Sequence, residues 1–341
     1  MIHFTLRPTM PGKRPTLYLV LDCETATLPF VRGMQLTPNQ RKTIAIAKPL
    51  IYDLAWRIVD RNNHIYAEKS YLISEIFSVP DVFNTAYYKE KRPFYLEKLR
   101  NKTIELVPWH MAIEDLIGDL QFVDYCCAYN AMFDFKKAIP FTALYMKHLY
   151  SESYQWWIMT QQEICSSLAQ GNKPSNDQFD KDNFIFDGVK YPMIDIWGVV
   201  CNKLINCPTY KKMCLTENML SPSGKFFKTS AESTTRYIER QYDFIESHTA
   251  LEDVVIECNL LVKCLARGKI ETGIIYFPFQ ELGYTHDFVR RYQKKEYAHA
   301  VIKQMIQYLD EQEKEKGRTT QYMTSIENIV CGLMHQYNLV Y

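Results

Sequence analysis

The sequence predicts an α/β protein, a mixed sheet with helices packed on it. Three observations carry this. Thr16 to Leu21 (TLYLVL) is β-branched, aromatic and apolar, the signature of a buried strand. Two further strand-like runs follow it, joined by a turn signal. Beyond them, helical periodicity alternates with another short apolar run.

The elements follow in order. Leu50 to Val59 reads as the second strand. Asp60-Arg61-Asn62-Asn63 is the turn, and Ile65 to Ile73 alternates as the third strand, completing a meander. Residues 81 to 105 are charged and aromatic, without a clean period. Pro108-Trp109-His110 opens a helix that places Ile113, Leu116, Ile117 and Leu120 on one face. Phe122 to Ala128 reads as a buried strand, with a helix from about Phe133. Residues 171 to 183 are a loop by composition. Tyr191 to Ile196 reads as a strand leading into a helix at Trp197 to Leu204. Residues 215 to 230 read as a loop or small hairpin. A helix starts near Thr249, and after Gly268 the chain becomes strongly charged and helical over 287 to 317, with a further helix over 319 to 338. A boundary is expected near 268 to 285.

Composition excludes several classes. At 341 residues, 47% apolar and 23% charged, the chain holds enough apolar material for a core, so global disorder is excluded. No apolar run reaches the roughly 18 residues of a membrane span. The apolar piece Leu17 to Leu21 is too short for a signal-peptide core, so an intracellular, cytoplasmic protein is expected. Lys plus Arg is 40 and Asp plus Glu is 39, so any nucleic-acid affinity must come from local patches. No glycine-rich phosphate loop occurs. The ten cysteines lack zinc-like spacing and read as reduced, mostly buried thiols.

Three groups of residues stand out for chemistry. Asp22 and Glu24 follow the first strand in LYLVLDCETATLP. Carboxylates one residue apart project from one face of a strand, and hard divalent cations take such oxygen ligands. An Asp-x-Glu arises about once by chance at this acid content, so position matters more than pattern. Asp134 lies in CCAYNAMFDFKKA, where a strand leads through Asn130 to a helix start. A carboxylate there also suits the helix dipole alone. His248 and Asp253 lie in ESHTALEDVVIECNLL. Thr249 as N-cap and Glu252 at N3 make a capping box, with His248 just outside the helix and Asp253 in its first turns. Residues five apart inside one helix lie about 140° apart, so only a histidine on the entering loop approaches that aspartate. His110 and Asp115 match the same spacing and are a decoy.

Taken in order, these residues resemble the DEDD exonuclease superfamily, in its histidine (DEDDh, DnaQ-like) subclass, which includes the proofreading epsilon subunit of bacterial replicases, RNase T and oligoribonuclease. The matching pieces are Asp22-Cys23-Glu24, then Asn130 to Asp134, then His248 to Asp253. The element order also resembles a ribonuclease-H-like fold. The likeness spans roughly residues 15 to 268, with insertions implied near 75–105 and 150–190, and 269–341 as a mainly helical C-terminal extension. Asp195 in YPMIDI falls where relatives often carry Asp-Thr, and reads as structural. One departure stands at Thr27, where the family often has glycine.

The resemblance implies two divalent ions, Mg²⁺ or Mn²⁺, about 4 Å apart. Asp22 would bridge them, Glu24 and Asp253 would complete one site, and Asp134 would support the other. His248 would take the proton from the attacking water. Thr25, Leu28, Asn130 and Phe133 are the implied substrate contacts. The expected reaction is release of nucleoside 5′-monophosphates from single-stranded or frayed DNA 3′ ends, in replication or repair. Alternatives are a 3′–5′ exoribonuclease or oligoribonuclease-like enzyme, and a non-catalytic nucleic-acid-binding subunit. DNA is favoured over RNA because the insertions and extension resemble stand-alone relatives, some of them viral and acting in a host cytoplasm. The extension is a candidate docking surface for a replication or repair protein. Tyr87-Tyr88 and Trp156-Trp157 are candidate base-stacking platforms. Basic residues at Lys211, Lys212, Lys225, Lys228, Arg236, Arg240 and the 290–295 cluster are read mostly as solvated faces.

Overall fold

The computed structural model describes residues 14–27, 48–150, 180–186, 188–316, 328 and 330–334. The strands are β1 (Tyr18–Thr27), β2 (Pro49–Val59), β3 (Ile65–Ile73), β4 (Glu105–Val107), β5 (Tyr125–Ala128), β6 (Asn183–Phe186) and β7 (Val189–Asp195). They form one sheet in the order β4-β3-β2-β1-β5-β7-β6. β2 runs antiparallel to β1 and β3, and β6 antiparallel to β7; the remaining pairs are parallel. This is the expected mixed α/β sheet flanked by helices, in a ribonuclease-H-like order. The meander of the first three strands stands as read.

The helices are α1 (Ser74–Phe77), α2 (Pro80–Phe83), α3 (Arg92–Arg100), α4 (Trp109–Leu120), α5 (Ala131–Phe133), α6 (Ile139–Leu149), α7 (Ile196–Val200), α8 (Pro208–Thr216), α9 (Ala231–Glu239), α10 (Ala250–Ala266) and α11 (Thr285–Lys316). Wider π-helical turns at Asp134–Ala138 and Cys201–Ile205 follow α5 and α7. No helix among the described residues is long and apolar enough to cross a membrane.

Several elements differ from the sequence reading. β1 does not end before Asp22. It continues to Thr27, because β2 keeps pairing with it: Asp22 faces Ala55 and Glu24 faces Asp53, with a bulge only after Glu24. The aperiodic stretch 81–105 holds short helices and, at its end, the edge strand β4. β6 makes an unforeseen hairpin with β7.

The chain divides by its contacts into two units, Met1–Tyr210 with Thr229–Glu281, and Lys211–Lys228 with Leu282–Tyr341. Residues 269–281, read from sequence as extension, therefore group with the sheet. A main-chain reason is visible. Gly273 donates its N–H to the Met193 carbonyl at 2.7 Å, and Ile274 joins the main core. Gly273 holds φ +91°, and Ile275 packs so close to Gly198 that a Cβ there would sit 2.6 Å from its side chain.

The core of the sheet unit joins Leu19, Leu21, Leu54, Trp56, Phe83 and Phe135, all fully buried or nearly so. Trp56 spends its one polar atom on Asp119 of α4, donating Nε1–H at 2.8 Å. Its truncation to alanine is worth about 3–5 kcal/mol. Cys23, Cys126, Cys127, Cys201, Cys258 and Cys264 are buried thiols. In the second unit, Phe288 of α11 meets Phe227 edge-to-face, and Lys211 and Lys212 lie over the Phe288 and Tyr292 rings. Ile302 and Val330 anchor a separate small cluster.

Candidate active site

Three separated parts of the chain bring carboxylates to one open cleft of about 470 Å³. β1 supplies Asp22 and Glu24 from one strand face. The turn after β5 supplies Asp134. Asn130 adopts the left-handed region at φ 73° there, a conformation asparagine tolerates better than most residues. The short α5 then widens into a π turn that starts at Asp134, a distortion often found at functional positions. α10 supplies Asp253 in its first turn. His248 lies in the loop before it, at φ 51°, and its ring faces the same cleft.

Each group has a physical reason for its place. Asp134 is 2% exposed and accepts a hydrogen bond from the Cys23 thiol at 3.1 Å. Thr249, the N-cap residue of α10, makes no side-chain cap. The expected capping box does not form, because the Thr249 hydroxyl donates to Glu252 at 2.6 Å instead of accepting from the helix. Asp53 of β2 takes over, accepting the Ala250 N–H at 3.0 Å and the Tyr95 hydroxyl at 2.8 Å. That bond fixes the helix end carrying Asp253.

The electrostatics are strongly anionic. Burial, then repulsion from Glu257, Asp134 and Asp253, raises the Asp22 pKa well above the ordinary carboxylate range. Burial and Asp253 do the same to Glu24. Burial pushes Asp134 up to about 7, and burial with Glu246 pushes Asp253 up to about 8. These groups are short of positive charge.

The donor set fits a hard divalent cation. The ligand atoms of Glu24, His248 and Asp253 all lie within 4.8 Å of one another. Asp253 Oδ1 is buried without a hydrogen-bond partner, and Asp22 and Asp134 line the same cleft. A cation among them would offset the burial and the repulsion that lift their pKa values.

Of the implied substrate contacts, Asn130 and Phe133 line the cleft. Thr25 sits on β1 just past the bulge, opposite Ile51, and is not among the lining residues. Leu28 and Trp156-Trp157 lie outside the described residues. Thr27 is 5% exposed. Its N–H donates to the Thr85 hydroxyl at 2.8 Å, and its carbonyl accepts from that hydroxyl at 2.7 Å. Thr27 is thus held by Thr85 and is not a lining residue. Asp195 is buried and accepts the Asn130 N–H at 3.3 Å, a structural tie beneath the turn. The decoy pair separates from the site: Asp115 accepts the Tyr71 hydroxyl at 2.5 Å and pairs with Lys69 at 3.0 Å. Arg236 is engaged internally, with Glu232 at 3.1 Å and the Phe244 carbonyl at 2.6 Å.

Sequence reasoning missed Glu257 and Glu246, which also line the cleft; Tyr88, singled out there as a base-stacking candidate, lines it too. Glu257 is 3% exposed and accepts the Tyr129 N–H at 3.1 Å. It stands one helical turn beyond Asp253, a spacing that places both on one face of α10. That relation was available in the sequence.

No family model matches the chain, and no curated protein matches it. Among solved structures, it is similar to cell-death related nuclease 4 (CRN-4), at 11% identity and a TM-score of 0.33 over 74% of the chain. The match spans 65% of that chain's length. At that score the likeness carries no weight for activity.

Proposed function

We propose that this protein is a metal-dependent nuclease, a 3′–5′ exonuclease acting on single-stranded or frayed DNA ends. The observation that supports the reading best is the convergence of Asp22, Glu24, Asp134, Asp253 and His248 on one open, anionic cleft from three distant parts of the chain. Burial raises the pKa values of all four acids of the cleft, and neighbouring carboxylates add to it, so their charged forms are held there at a cost. A ligand of opposite charge gives them a reason to be together.

Asp22, Glu24, Asp134 and Asp253 would hold divalent ions, Mg²⁺ or Mn²⁺. Bound there, the ions would supply Lewis acidity toward the scissile phosphate. The chain's own groups do the rest. His248, about one-third exposed, takes a proton from water as the water oxygen attacks phosphorus. The phosphorus–O3′ bond breaks, the 3′ oxygen takes a proton from solvent, a nucleoside 5′-monophosphate leaves, and His248 returns its proton to solvent. Asn130 and Phe133 flank the place of the terminal nucleotide, and Trp197, donating Nε1–H to Thr229 at 2.9 Å, offers an anchored ring on the same wall.

The test is product analysis. Purified protein with an oligodeoxynucleotide and Mg²⁺ should release 5′-monophosphates, and chelation should stop the release. Products bearing 3′-phosphates, or undiminished release in EDTA, would overturn the proposal.

A further inference from the structure

Tyr88 and the short 3₁₀ turn that follows it (Lys89–Lys91) make two contacts with His248, one from the Tyr88 ring and one from Lys91. The Tyr88 ring stacks on the imidazole, with centroids 4.5 Å apart and planes 13° from parallel. Lys91 donates its Nζ–H to the His248 carbonyl at 3.4 Å and also lies over the Tyr88 ring, 5.1 Å from its centroid. Tyr87 is 84% exposed and meets Tyr88 edge-to-face at 4.8 Å.

His248 needs holding. Its φ of 51° is uncommon for a residue with a side chain, and such conformations persist only where surroundings fix them. Stacking restricts the ring plane, and the lysine contact restricts the backbone. The ring so held lines the cleft, with a ligand atom within 4.8 Å of those of Glu24 and Asp253.

We propose that Tyr88 and Lys91 form a clamp, with Tyr88 a positioning residue that sets the plane of the His248 ring. The role of the clamped histidine rests on the exonuclease reading; the contact itself does not. The aromatic face is the working feature, and the tyrosine hydroxyl is dispensable. Tyr88 and Lys91 come from the segment that the sequence leaves aperiodic, so only the fold connects them to His248.

The test uses the full chain labelled with ¹³C at histidine Cε1, with the His248 signal assigned through His248→Gln. A stacked ring shields that proton. Tyr88→Leu should move the signal downfield, while Tyr88→Phe should leave it in place. In the nuclease assay, Tyr88→Leu should lower kcat by about 10- to 100-fold with little change in KM, and Tyr88→Phe should restore it. An unmoved signal in Tyr88→Leu, or wild-type kcat in that variant, overturns the clamp. Should wild-type protein hydrolyse nothing, the exonuclease reading fails alone, and the His248 signal still supports or overturns the clamp.

Discussion

Asp53 accepts the backbone N–H of Ala250 at 3.0 Å, so a carboxylate from the second strand caps the helix that carries Asp253. The two residues are nearly 200 positions apart in the chain, 197 in number. The same oxygen takes the Tyr95 hydroxyl. Asp53 also faces Glu24 across the β1–β2 pair, so one residue couples two of the elements that carry cleft carboxylates. Asp53→Ala should destabilise the fold by about 1–3 kcal/mol, the cost of orphaning buried donors and losing a cap. Urea unfolding measures it. Asp53→Asn should recover part of the loss, since its amide oxygen still accepts.

Asp22 sits where burial and four neighbouring acids oppose its charge. Asp22→Asn should therefore stabilise the metal-free protein, by about 1–2 kcal/mol near pH 8. It should also abolish hydrolysis. Thermal unfolding in EDTA, beside an activity assay, checks both. A variant that is more stable yet inactive separates a functional carboxylate from a structural one.

Metal-free stability should fall as pH rises from about 4 to about 8. Asp134 and Asp253 titrate near 7 and 8 in the fold, well above their ordinary values. Between those limits the native protein keeps protons that the unfolded chain has lost. By linkage, stability then decreases with pH, by up to about 1.4 kcal/mol per pH unit for each such group. Saturating Mg²⁺ should flatten the trend and release protons on binding. Unfolding midpoints between pH 5 and 8.5, with and without Mg²⁺, provide the readout.

His248→Ala should slow turnover by about 10²–10⁴-fold, whereas His110→Ala should leave it unchanged. His110 is exposed on α4, and its matching Asp115 is paired to Lys69. Steady-state kinetics of the two variants distinguishes a positional match from a spacing match.

Much of this was legible in the sequence, for identifiable reasons. β2 is almost wholly buried and β3 is bounded by clear turn chemistry, so composition and alternation suffice for both. The end of β1 was misread because two carboxylates look like a strand terminus. They remain in the strand because β2 supplies partners as far as Thr27. β4 and β6, of three and four residues, are edge strands too short for a periodic signal. The carboxylates and His248 were visible as ordered motifs. Glu257 and Asp53 were not picked out, and Tyr88 only as a base-stacking candidate, since each gains its role from a contact across the fold: with Tyr129, Ala250 and His248.

The central claim is metal-dependent hydrolysis from a 3′ end at the Asp22 cleft. Its most direct test is a time course on 5′-labelled single-stranded DNA and RNA of one sequence, with Mg²⁺, with Mn²⁺ and with EDTA, for wild type and Asp22→Asn. A ladder that shortens from the 3′ end, faster on DNA, absent in EDTA and absent in the variant, is the predicted result. Intact substrate with folded wild-type protein, or equal cleavage by Asp22→Asn, would contradict it.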